Sequence, residues 1–149
     1  ANANLHLSII GEAPNKADLQ ALAKQLGVNA HVTFLGCLMG TDLVQTINKH
    51  DALVMFSNYE TFCLVIPECF ACGKAVITSH AGGIADYMMP ELGITIDPKN
   101  ETQLTESFLT FAQTKQQYNS ALIREFAVTH FSKHVINQKL TTLYQLALA

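Results

Sequence analysis

The residues whose types and spacing could do chemistry are two carboxylates, Glu60 and Glu68. Between them lies Thr61-Phe62-Cys63-Leu64-Val65-Ile66-Pro67, mostly apolar. An apolar run ending at Phe56 precedes the pair. Gly73-Lys74 and a second apolar run, Ala75-Val76-Ile77, follow it. The order reads as strand, loop, helix, turn, strand. Glu60 then sits in the loop at the carboxyl end of a strand. Pro67 fits the first turn of the helix, where its missing N–H costs nothing, and Glu68 is one residue further on. In an open parallel sheet, ligands bind beyond the carboxyl ends of the strands. A helix N-terminus there suits a diphosphate, and a carboxylate beside it can accept hydrogen bonds from sugar or ribose hydroxyls. The stretch is therefore suited to a phosphorylated, hydroxyl-rich ligand such as a nucleotide sugar. On spacing alone a second reading stays open, in which both glutamates only complement the helix dipole.

The same residues resemble a known family. Glu60 to Glu68 fits the Glu-x7-Glu motif of retaining glycosyltransferases of GT-B fold, especially family 4. Pro67-Glu68-Cys69-Phe70-Ala71-Cys72-Gly73-Lys74-Ala75-Val76-Ile77 is similar to the run that contains the motif's second glutamate. Ala81-Gly82-Gly83-Ile84-Ala85-Asp86 is similar to the family's Gly-Gly turn, with Asp86 where Glu is usual. Val32-Thr33-Phe34-Leu35-Gly36 and Leu92-Gly93-Ile94-Thr95-Ile96-Asp97-Pro98 resemble two further family elements.

The resemblance implies that Glu60 is the catalytic-site carboxylate, holding donor-sugar hydroxyls, and that Glu68 holds the ribose hydroxyls. It implies that the backbone amides of Phe62, Cys63 and Leu64 face the diphosphate and sugar, with Thr61 also a donor-binding residue. Gly11 would approach the phosphates, and Gly36 and Leu38 the base. The substrate would be a nucleotide-diphosphate sugar, with no metal and no other cofactor. The parent enzyme would transfer a hexosyl group to a glycan or lipid acceptor with retention. Residues 1–149 would be its single Rossmann-like donor domain, and its partner the N-terminal acceptor domain. The parent would be cytoplasmic, with the membrane face open to it through that other half. Three positions depart from the pattern: Ala13 and Cys63 stand for glycines, and Asp86 for Glu. They keep an alternative in view, a noncatalytic nucleotide-sugar-binding or protein-interaction module on the same fold.

Composition narrows the classes. The 149 residues are 49% hydrophobic, enough for one compact core. A net charge of −3 gives no electrostatic footprint for nucleic acid. Arg124 is the single arginine, so backbone amides or lysine must meet any phosphate. The apolar runs are far shorter than a membrane span. With no initiator Met, the chain reads as a fragment. Cys69 and Cys72 form a C-x-x-C, but no second pair matches it, and buried reduced thiols in a reducing cytosol are the expectation. His80, in the loop before Gly82, is the one histidine placed to reach a ligand cleft, though a solvent-facing or structural role is the expectation. Lys74 is expected to be a solvated turn residue.

The elements that must position these residues follow from the pattern. Strands are expected at 5–10, 31–36, 51–56, 75–79 and 92–97, the third buried on both faces by its unbroken apolar character. Helices are expected at 16–26 after an Asn15 cap, at 43–49 after Thr41 or Asp42, from Pro67, and at 82–88. Three more are expected at 101–116, 119–129 and 132–148. The fold class is α/β, a Rossmann-like doubly wound parallel sheet of five to six strands with helices on both faces.

Overall fold

The computed structural model describes residues 5–148. It divides into two compact units, Ala1–Thr46 and Ile47–Ala149.

In the first unit, β1 (Leu7–Ile10) and β2 (Val32–Gly36) pair in parallel, with Leu7 opposite Val32. Between them runs α1 (Lys16–Gln25). Gly27, at φ +68°, takes the left-handed position that stops this helix. Asn15 does not cap it with its side chain, because its backbone (φ −89°, ψ 13°) is not extended. Backbone bonds close the turn instead, Lys16 N–H to Ala13 O and Leu19 N–H to Asn15 O. The next helix, α2 (Gly40–Asn48), starts three residues earlier than expected, so Thr41 and Asp42 lie inside its first turn.

The second unit holds a parallel sheet in the order β3 (Ala52–Met55), β4 (Ala75–Ser79), β5 (Gly93–Ile96). The helix α3 (Val65–Ala71) joins the first two strands. A 3-10 turn, Gly82–Asp86, replaces the expected short helix to Met88 and leads towards β5. Then come α4 (Glu101–Thr114), α5 (Ser120–Phe131) and α6 (Lys133–Ala147). Asn100, Asn119 and Ser132 cap these three through side-chain oxygens, each worth about 1 kcal/mol.

The α/β class and the parallel strands are as the sequence implied. The five described strands, however, form two sheets, of two and three strands, rather than one of five or six. Alternation of strands and helices dictates parallel pairing but not which strands share a ladder. A second correction concerns β3, whose residues are all half-buried. It is an end strand of its sheet, while β4, flanked on both sides, is buried at every residue.

The core of this unit is built on β4. Its essentially inaccessible side chains include Val76 and Ile77 of β4, Ile66 and Phe70 of α3 and Ile123 of α5. Burial of each such side chain contributes about 2 kcal/mol. The rings of Phe70 and Phe126 meet edge to face at 6.0 Å. Gly73 lets α5 approach, since a Cβ there would collide with Ser120, whose hydroxyl donates to the Gly73 carbonyl at 2.8 Å. Arg124 donates to the Ala71 carbonyl at 2.8 Å, at the C-terminus of α3. The lone guanidinium is thus engaged in holding two helices together. With α3 anchored by its buried face, the loop that enters it is carried at the carboxyl ends of β3 and β4.

Candidate functional site

Glu60, Thr61, Phe62, Cys63, Leu64 and Glu68 all fall on one stretch, the loop after β3 and the first turn of α3. Pro67 lies in that first turn and is buried, while Glu68 beside it is exposed. The expected order of strand, loop and helix is therefore present.

The loop is held from several sides. The Ser57 hydroxyl donates to Glu60 Oε1 at 2.8 Å. The buried Ser79 hydroxyl, at the end of β4, donates to the Ser57 carbonyl at 2.5 Å. The Gly83 amide donates to the Glu60 carbonyl at 3.1 Å. A Cβ on Gly82 would collide with the Glu60 carbonyl, and one on Gly83 with the Thr61 carbonyl. Only glycines let these two loops lie backbone to backbone. Tyr87 donates its hydroxyl to the Phe62 carbonyl at 2.6 Å. The rings of Phe62, Tyr87 and Phe131 pack together, with centroids 5.5–5.6 Å apart.

Cys63 has φ +61°, the left-handed region that glycine occupies freely. Its thiol is raised by burial and by the negative charge of Glu60, against an opposing hydrogen bond from the Ile66 backbone. A thiol so placed stays protonated at neutral pH and is no nucleophile. Cys69 is pushed up to about 12, mainly by burial. Both cysteines of the C-x-x-C are free thiols, Cys69 within α3 and Cys72 just past its end. Among the described residues, no three His, Cys, Asp or Glu converge on a possible metal position.

In the first unit, the Gly11 amide donates to the Gly36 carbonyl at 2.8 Å. The two expected glycines are thereby brought together at the ends of β1 and β2. Both have positive φ, +125° and +69°. Leu38 is half-buried in the segment after β2.

Two expectations are refined. His80 lines a cleft of about 360 Å³ with Asp97, Gln103 and Glu106, at the carboxyl end of β5 beside α4. Lys74 is not merely solvated, for it donates to the Asn48 carbonyl at 2.9 Å. Sequence reasoning missed Ser57, Ser79 and Tyr87. Ser57, three residues before Glu60, carried a usable signal, since a serine at that spacing can bond back across a turn. Ser79 and Tyr87 act across the fold and carried none. Beside the loop, a groove of about 410 Å³ is lined by Phe62, Leu64, Glu68, Val128, Phe131 and Ile136, among others.

Comparison with known proteins decides the family. The profile of glycosyl transferases group 1 matches residues 1–124. The chain belongs to the glycosyl transferases group 1 family. An uncharacterised glycosyltransferase of Methanocaldococcus jannaschii is 37% identical over 98 residues, 65% of this chain and 25% of that protein. A GDP-mannose-dependent alpha-mannosyltransferase of Mycobacterium tuberculosis is 28% identical over 126 residues, 83% of this chain and 32% of that protein. The chain therefore spans only about a quarter to a third of these relatives. HepE of Anabaena, solved in complex with UDP, superposes with a TM-score of 0.83 at 23% identity, covering 95% of this chain and 41% of that one. Sucrose-phosphate synthase of Thermosynechococcus elongatus gives 0.85 at 24%, covering 96% and 38%. Those two likenesses establish a common fold.

Proposed function

We propose that this glycosyl transferases group 1 domain binds the donor, a nucleotide-diphosphate sugar, for a retaining transfer of a hexosyl group to a glycan or lipid acceptor. The observation that carries the reading is the loop at the carboxyl ends of β3 and β4. There Glu60 is held by Ser57 and Gly83, with Glu68 exposed on the following turn. That is where an open parallel sheet binds its ligands.

In this reading Glu60 accepts hydrogen bonds from the donor-sugar hydroxyls and Glu68 from the ribose hydroxyls. The backbone of Thr61, Phe62, Cys63 and Leu64 faces the diphosphate and sugar. Gly11, Gly36 and Leu38 keep the phosphate and base assignments that the family resemblance implies. The leaving diphosphate is met by amides rather than by arginine, because the single arginine bonds the Ala71 carbonyl. Transfer needs more than these residues: the acceptor site belongs to an N-terminal domain of the same enzyme, and this domain by itself binds without turnover. The nucleotide sugar is the substrate, and no metal or further cofactor takes part. The enzyme works in the cytoplasm and can approach a membrane face through its other domain. Among the described residues, no helix is long and apolar enough to cross a membrane.

One observation favours the noncatalytic alternative. Cys63, a non-glycine residue, holds left-handed backbone in the middle of the loop.

Titration with UDP, GDP and ADP and their glucose or mannose conjugates, followed by ligand-observed NMR, tests the reading. Binding of one nucleotide series, weakened about tenfold or more in Glu68→Ala, is the expected result, since hydrogen bonds to charged groups are worth about 1.5–3 kcal/mol. Absence of binding by the folded chain would overturn it.

A further inference from the structure

We infer that Ser57 is a positioning residue that presets the Glu60 carboxylate for recognition of the donor's sugar, as distinct from its nucleotide. The inference rests on the donor-binding reading above and deepens it.

Four residues carry the argument. Ser79 ends β4, the central strand of its sheet, and is fully buried. Its hydroxyl donates to the Ser57 carbonyl, tying the backbone that leaves β3 to a strand buried at every residue. The Ser57 hydroxyl then donates to Glu60 Oε1 at 2.8 Å. From the other side, the Gly83 amide fixes the Glu60 carbonyl. Both the backbone and the side chain of Glu60 are therefore restrained.

The consequence is chemical. A carboxylate has about four lone-pair sites on its two oxygens and no donor when ionised. Ser57 engages Oε1. Oε2 accepts no hydrogen bond among the described residues, so its lone pairs remain for hydroxyl donors of a sugar. A glutamate free on a loop would have to lose its rotamer freedom on binding, and here that loss is met on folding. Among the described residues nothing tethers the Glu68 side chain in this way, and it is exposed on a helix that positions it through the backbone. The two carboxylates are thus held by separate devices, and the Ser57 link serves one of them.

The test separates sugar from nucleotide. The 149-residue chain and its Ser57→Ala, Glu60→Ala and doubly substituted variants are titrated with a nucleoside diphosphate and with the matching nucleotide sugar. Circular dichroism confirms that each is folded. The expected result is an unchanged affinity of Ser57→Ala for the nucleoside diphosphate and about a fivefold or greater loss for the nucleotide sugar. In the Glu60→Ala background, Ser57→Ala should cost nothing further, because it acts through the carboxylate. Equal weakening for both ligands would mean a merely structural serine and would overturn the inference, as would no weakening or fully additive losses. If Ser57→Ala does not fold, Ser57→Cys, close in shape and a weak donor, reads the same split. Failure of the unsubstituted chain to bind either ligand would instead overturn the donor-binding reading, and this inference with it.

Discussion

The Gly83 amide donates to the Glu60 carbonyl at 3.1 Å, so the loop after β4 holds the loop after β3 by its backbone. This closeness depends on missing side chains. Gly82 has φ +55° as well as no room for a Cβ. Gly83 lacks room alone, which makes it the cleaner probe of the approach.

Gly83→Ala should therefore force the two loops apart, since the added methyl would meet the Thr61 carbonyl. Overpacking of this kind costs about 1–3 kcal/mol. Urea unfolding should show that loss as a lower midpoint at unchanged slope. An alanine variant as stable as the parent chain would mean that the loops part without cost.

Cys63 offers the opposite experiment. Its left-handed backbone costs a non-glycine residue about 1–2 kcal/mol, of which glycine's greater unfolded-state entropy returns about 0.5–1. Cys63→Gly is expected to raise stability by about 0.5 kcal/mol, read from the same urea midpoint. A loss of about 1 kcal/mol would show that the half-buried thiol's packing outweighs the strain.

Much of this loop was legible in the sequence, for a local reason. Pro67 and Glu68 mark a helix start, Gly73 its end, and the apolar runs the strands on either side. Cys63 stands where the resembled family has glycine, and the structure gives that position left-handed backbone. Asn119 and Ser132, the first residues of two expected helices, prove to be their caps, each acting within three residues. What stayed hidden depends on long-range pairing. The separation of β1–β2 from β3–β4–β5 lies in ladder choice, which no periodicity encodes. The half-burial of β3 follows from its end position, so its unbroken apolar run was misleading. The bond from Ser79 to Ser57 spans 22 residues, and that from Tyr87 to Phe62 spans 25.

Tyr87→Phe isolates that last bond. The ring stays packed against Phe62 and Phe131, while the donor to the Phe62 carbonyl is lost. A destabilisation of about 1 kcal/mol is expected in urea unfolding. Nucleotide-sugar affinity should fall as well, since the Phe62 peptide adjoins Cys63 in the proposed diphosphate contact. Unchanged stability would indicate that water replaces the hydroxyl without loss.

The cysteines make a prediction about pH. Burial, then the neighbouring Cys72, Glu68 and Cys63, push the Cys69 thiol from its ordinary value near 9.0 up to about 12. Tyr87 is also raised above its ordinary value, by burial first and then by Cys63 and Glu60. In both cases the folded state holds a proton that the unfolded chain releases at lower pH. The stability that these groups contribute is fully present below about pH 9 and is lost as pH climbs towards 12. Urea midpoints measured from pH 7 to 11 should be level at first and then fall. Thiol labelling at pH 8 should be fastest at the exposed Cys37 and slowest at Cys69. Rapid labelling of Cys69 in the folded chain would contradict both its burial and its raised pKa, and with them the alkaline loss of stability.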